Sequence, residues 1–93
     1  DYTHVKDVVQ ANILAMTNGN VGKGETFNIG CGRPRTVNEV VKIMGGEHVY
    51  IPARPGDARF SGADNTKAKK VLGWEPTVDL EDGIAELKKE FGL

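Results

Sequence analysis

Glycine and proline punctuation constrains this chain more than any other feature. Asn18-Gly19-Asn20, Gly22-Lys23-Gly24, Gly30-Cys31-Gly32-Arg33-Pro34, Gly45-Gly46, Pro52, Pro55-Gly56, Gly73 and Pro76 divide 93 residues into short pieces. Glycine opens left-handed turn conformations, and proline removes a backbone donor. Only short helices and short strands fit between such stops. A chain of this length makes one small domain with a modest core.

The pieces carry readable periods. Val5, Val8, Val9, Ile13 and Met16 recur at helical spacing, with Asn12 the polar exception. They predict a helix from about Val5 to Thr17, ended by Gly19 in a left-handed conformation. Glu25 to Ile29 predicts a strand with Phe27 and Ile29 on one face. Thr36 and Glu39 have the spacing of a reciprocal capping box, for a helix striped by Val37, Val40, Val41 and Met44. His48 to Ile51 predicts a second strand, and Phe60 starts a third extended piece. Asp64 or Asn65 is placed to cap a helix over Thr66 to Leu72.

Asp79 is placed to cap a last helix, with Asp82 at the reciprocal position. Leu80, Ile84, Leu87 and Phe91 form its stripe. Trp74 is expected to plug the corner between the last two helices. The fold class read from these elements is α/β: a small mixed domain of about four short helices and two or three short strands. Strands this short leave at least one helix face expecting another partner.

Composition narrows the class. The chain is 39% hydrophobic and 27% charged, as in globular proteins. Twelve positive and 13 negative residues point to no nucleic-acid partner. No apolar run is long enough for a bilayer, and no secretory signal is visible. The single cysteine, Cys31, fits a reducing compartment, so a cytoplasmic location is expected. His4, Cys31 and His48 lack the spacing of metal ligands, and no metal site is expected.

Chemistry concentrates at Arg54-Pro55-Gly56-Asp57 and Arg59. Two guanidinium groups beside a Pro-Gly turn suit a phosphate or diphosphate, and the carboxylate suits a hydroxyl, for instance of a sugar. The competing reading is a solvated loop in which Asp57 pairs with an arginine, and composition alone favours it. Tyr2 and Lys6 have Tyr-x-x-x-Lys spacing, yet Tyr2 lies ahead of the helix, so packing and solvation explain them better. Gly30-Cys31-Gly32 follows a predicted strand but lacks the third glycine and the helix of a dinucleotide loop. Cys31 has no local partner for nucleophilic work and reads as a buried or half-buried thiol.

Four segments resemble the extended short-chain dehydrogenase/reductase family, nearest to its UDP-glucose 4-epimerase-like members. They are Asp1 to Val9, Phe27 to Gly32 and Thr36 to Val40, then Arg54 to Arg59 with Ala63-Asp64, Lys67-Ala68 and Leu72 to Pro76. The likeness spans nearly all of residues 1–93. It implies the carboxyl-terminal nucleotide-sugar-binding part of an NAD-dependent epimerase. The complete enzyme would act through a transient 4-keto sugar. Alternatives are a dehydratase or decarboxylase fragment, or a stand-alone binding or protein-interaction domain without catalysis.

The resemblance implies Arg54 on the diphosphate, Asp57 on the nucleotide ribose and Arg59 as a neighbouring phosphate position. His4 and Asp7 correspond to positions that lock the junction of two domains. The implied partners are a UDP-sugar or another nucleotide sugar, and the family's amino-terminal Rossmann domain. That domain is missing here, with its glycine-rich loop and Tyr-x-x-x-Lys pair. The start of the chain reads as a cut and its end as natural. NAD is therefore expected in the complete enzyme and not on this chain, which is expected to be inactive alone.

Overall fold

The computed structural model describes residues 1–93. Three α-helices and one wide π-helical turn make up its regular structure: α1 Val5–Thr17, α2 Val37–Met44, the π-turn Ala68–Leu72 and α3 Leu80–Glu90. No helix is long and apolar enough to cross a membrane.

There is no β-strand, which corrects the α/β expectation. A strand exists only through a ladder with a neighbour. No backbone–backbone hydrogen bond outside the helices involves residues 22–33 or 46–53. The period-2 face of the first segment is nevertheless real. Phe27 and Ile29 are half-buried against the core, and Thr26 and Asn28 are exposed. The second segment has no such support: Val49, Tyr50 and Ile51 are 85%, 87% and 71% exposed.

The helix boundaries follow local chemistry. His4 caps α1, its Nδ1 accepting the Lys6 N–H at 3.0 Å. The α1 terminus differs from expectation. Gly19 is not left-handed. Asn18 closes the helix instead: its N–H bonds Leu14 O, its Oδ1 accepts the Asn20 N–H, and its Nδ2 donates to Val71 O. Thr36 caps α2 by accepting the Glu39 N–H at 3.1 Å. The Glu39 carboxylate does not return to Thr36; it pairs with Arg35. The π-turn ends at Gly73, left-handed at φ 67° and ψ 22°. Asp79 starts α3 without a side-chain cap and lies 3.6 Å from Arg33.

The core is small and sits between α1 and the π-turn. Ala11, Ala68, Leu72 and Trp74 form it. Alanines on both elements let the backbones close around the fully buried indole of Trp74, whose Nε1–H donates to the Asp7 carbonyl at 2.8 Å. The tryptophan is buried as a plug, but between α1 and the π-turn and not between the last two helices as expected. Asp7 is buried beside it. Its carboxylate accepts the Thr77 N–H at 3.0 Å, the Thr77 hydroxyl at 2.8 Å and the Val78 N–H at 3.2 Å.

This packing inverts α1 relative to its sequence pattern. The buried side is Asp7 and Ala11, with Leu14 and Ala15 half-buried. Val5, Val9, Ile13 and Met16 are 67%, 49%, 45% and 82% exposed. The α3 stripe is also only partly used: Ile84 is buried, whereas Leu87 and Phe91 are exposed. The molecule measures 49 × 33 × 16 Å, with a radius of gyration of 16.0 Å. A compact domain of this length would have a radius near 12 Å.

Candidate functional site

The Arg54–Asp57 segment folds as a tight turn. The Asp57 N–H approaches Arg54 O at 3.4 Å. Pro55 presets its own φ, and Gly56 takes φ 84°, the combination a type II turn needs. The first and fourth side chains of such a turn lie side by side. Arg54 Nε accordingly donates to Asp57 Oδ2 at 3.2 Å. Both side chains remain largely exposed, 74% and 57%. A guanidinium has five N–H donors, and this contact uses one. Arg59 is exposed and joins no ion pair. The fold therefore brings Arg54 and Asp57 together, and leaves Arg59 beside them in the chain.

The surroundings of the turn are open. Every residue from Met44 to Gly62 is exposed. None of the four principal cavities includes Arg54, Asp57 or Arg59. The turn presents a charged pair with one wall of a pocket at most.

Immediately after it the backbone becomes tightly held. The Asp1 carboxylate accepts the N–H groups of Cys31 at 3.0 Å, Gly32 at 3.0 Å and Ala63 at 2.8 Å. The buried Asn65 donates Nδ2 to Gly30 O at 2.9 Å. Gly30 lies so close to the second segment that a Cβ there would sit 2.4 Å from Ala63 Cβ. These bonds tie the 30–32 loop to residues 63–65, directly behind the Arg54–Arg59 segment. Sequence reasoning missed Asp1 as an anchor and treated Asn65 only as a helix cap. Their partners lie 30 or more residues away, and no local spacing signals them.

The same bonds test the glycine loop as a cofactor site. A dinucleotide phosphate needs free backbone N–H groups. Those of Cys31 and Gly32 are already taken by a carboxylate. The 30–32 loop therefore does not fit a dinucleotide phosphate.

Other candidates fall into structural roles. Lys6 Nζ pairs with Glu86 at 3.3 Å, whereas Tyr2 lines a small cavity with Cys31, Arg33 and Arg35. His4 Nε2 also meets Glu86 at 3.3 Å, which joins the start of α1 to α3. The hydrogen bond and the charge of Lys6 hold the Glu86 carboxyl below its ordinary value. His48 packs edge-on against Tyr50. No His, Cys, Asp and Glu cluster could hold a metal ion. For Asp7, burial pushes the pKa up. The hydrogen bonds from Thr77 and Val78, helped by His4, outweigh burial and leave it below the ordinary value.

Comparison with known proteins places this arrangement. The family model described as GDP-mannose 4,6 dehydratase matches residues 1–87. The UDP-glucose 4-epimerase of Mycolicibacterium smegmatis is 40% identical over 97 residues, covering 98% of this chain and 30% of that protein. The UDP-glucose 4-epimerase of Azospirillum brasilense is 37% identical, covering 90% of this chain and 26% of that protein. The crystal structure of UDP-glucose 4-epimerase with UDP-glucose from Thermotoga maritima superposes with a TM-score of 0.79 at 46% identity. It covers 98% of this chain and 32% of that one. The chain thus spans under a third of the length of the relatives it matches.

Proposed function

The chain belongs to the nucleotide-sugar epimerase and dehydratase family matched by the GDP-mannose 4,6 dehydratase model, and from that premise we propose that it is the nucleotide-sugar-binding part of an NAD-dependent 4-epimerase. One observation carries the reading: the turn that sets Arg54 beside Asp57 with most of the guanidinium still in solvent. A guanidinium fork matches phosphate oxygens, and a fixed carboxylate matches a vicinal diol. In this reading Arg54 binds the diphosphate, Asp57 accepts the ribose hydroxyls, and Arg59 adds positive charge. The share of these residues is binding and orientation. NAD, where the complete enzyme holds it, supplies reversible hydride transfer, and no step of that chemistry runs through this chain.

Titration of UDP into the 93-residue chain, followed by its amide spectrum, tests the site. Shifts confined to Arg54 through Arg59 are expected. Dispersed resonances that stay in place would remove the binding role from this chain alone. In a full-length protein carrying this segment, Arg54→Ala should weaken UDP-sugar binding by about 1.5–3 kcal/mol, the range of a charge-assisted contact. An unchanged dissociation constant would refute the assignment of Arg54.

The description of the matching family model favours a second reading, a sugar-nucleotide dehydratase. Mass analysis of the full-length protein's product separates the two. An epimer keeps the substrate mass, and a dehydratase product is lighter by one water.

A further inference from the structure

We propose that His4 is a proton-operated cap. Neutral, it fastens the first turn of α1; protonated, it releases that turn and keeps hold of α3. The device is independent of any nucleotide sugar, and no ligand enters its test.

Two contacts on one ring define it. Nδ1 accepts the Lys6 N–H at 3.0 Å, the only hydrogen bond that this N–H makes. An accepting nitrogen carries no hydrogen, so the cap exists only while the ring is neutral. On the opposite edge, Nε2 lies 3.3 Å from a Glu86 carboxylate oxygen of α3. A carboxylate only accepts, so the ring hydrogen sits on Nε2. The two partners thus select one tautomer of a neutral imidazole. A Ser, Thr or Asn cap would hold the same N–H at every pH. Imidazole is the side chain that gains and loses its proton between about pH 5 and about pH 8.

Protonation exchanges one contact for the other. A proton from solvent adds to the Nδ1 lone pair and turns this nitrogen into a second donor, facing the Lys6 N–H. That bond breaks, and the ring's positive charge also meets the positive end of the α1 dipole. At Nε2 the contact with Glu86 becomes an ion pair and strengthens. The charged neighbours divide the same way. The carboxylates of Asp7 on α1, of Glu86 on α3 and of Asp79, which lines the same groove, hold the charged ring in place. Lys6, whose Nζ shares Glu86 at 3.3 Å, repels it from the α1 side. The Tyr2 phenol also lines the groove, and α2 brings only Val40 and Met44 to it.

The setting permits the exchange. The His4 side chain is 15% exposed and lines a groove of about 430 Å³ between the start of α1, α2 and α3, so solvent protons reach it. Against α3 its ring lies beside Gly83, where an added Cβ would stand 3.3 Å from Cδ2. Glycine is a poor residue inside a helix, and here its missing side chain leaves room for the imidazole. The released turn carries Asp7, whose carboxylate holds Thr77 and Val78. Fraying at His4 therefore starts within one turn of a core anchor.

Nitrogen-15 spectra of the histidine rings, read with the Lys6 amide of the 93-residue chain between about pH 8 and about pH 5, test the switch. At the upper end His4 should be the Nε2–H tautomer. As the ring takes up its proton, the Lys6 amide should shift with the same midpoint. Its hydrogen-exchange protection, corrected for the intrinsic rate, should fall about fivefold, the effect of losing a typical N-cap. Protection at Ala11, in the middle of α1, should hold. His4→Asn supplies a cap that does not titrate and should make Lys6 protection equal at both ends of the range; His4→Ser does the same should His4→Asn prevent folding. Glu86→Gln removes the carboxylate that favours the charged ring and should move the midpoint to lower pH. An Nδ1–H tautomer at the upper end would overturn the proposal. So would Lys6 protection that holds through the His4 titration, or a transition that persists in His4→Asn.

Discussion

Residues 44–62 and residues 63–78 are adjacent in the chain and opposite in how they are held. Every residue of the first segment is exposed, and between Gly46 and Phe60 its hydrogen bonds reach only across a four-residue turn; the one distant bond, from the Asp1 amino group to Ser61 O, lies at its end. The second contains Asn65, Ala68, Leu72 and Trp74, all buried, and it bonds to residues 34 to 71 positions away. The proposed ligand groups, Arg54, Asp57 and Arg59, stand on the unsupported segment. The supported segment starts one residue after it and is stapled by Asp1, Asp7 and Asn65. A binding loop on a rigid base is a common division of labour. Here the base comes from the same chain.

Substitutions can break that contrast. Trp74→Ala should have the largest effect. It empties the centre of the core and should cost about 3–5 kcal/mol in a denaturant titration. For a core of this size the expected outcome is loss of dispersed amide signals throughout residues 63–78. Retention of the native melting profile would show that the base does not depend on its tryptophan.

Asp7→Asn should come next, at about 1.5–3 kcal/mol, because an amide nitrogen faces donors that a carboxylate oxygen accepts. The same group gives the contrast a pH signature. The Asp7 pKa lies below its ordinary value in the fold. The folded state therefore binds fewer protons there than the unfolded chain does. Its stabilisation is complete above about pH 4, the unfolded value, and is lost as pH falls below that through the folded pKa. Stability measured from pH 5 down to pH 2 should fall in the parent and fall less steeply in Asp7→Asn. Parallel curves would remove Asp7 as the cause.

Arg54→Ala should have the smallest effect on stability, with no measurable change, since its ion pair is exposed and its segment touches no core residue. A loss comparable to that of Asp7→Asn would mean that the two segments are not independent, and would erase the contrast.

Much of the local structure was legible in advance. The α1 limits, the Thr36 cap, the stop at Gly73 and the Pro55-Gly56 turn depend on contacts within about five residues, and those contacts are written in residue type. The Arg54–Asp57 contact was legible for the same reason, as the solvated-loop reading also expected: the two are three apart on a turn whose geometry Pro and Gly impose. Where reading failed, distance was the cause. Gly19 was a sound terminator locally, but Asn18 took the role, and its side chain also reaches Val71, 53 residues away.

By itself, then, the sequence determined where helices start and stop, and that two charged groups meet at residues 54–57. Tertiary structure decided that no sheet forms, because an extended segment becomes a strand only when another backbone lies beside it. It decided which side of α1 is buried, because a strongly periodic apolar face and a small-residue face compete for one neighbour. Ala11 joins the cluster around Trp74, whereas Val9 and Ile13 stay about half exposed. It also decided that Asp1, Asp7 and Asn65 hold the fold, since each satisfies backbone groups brought near only by the folded chain.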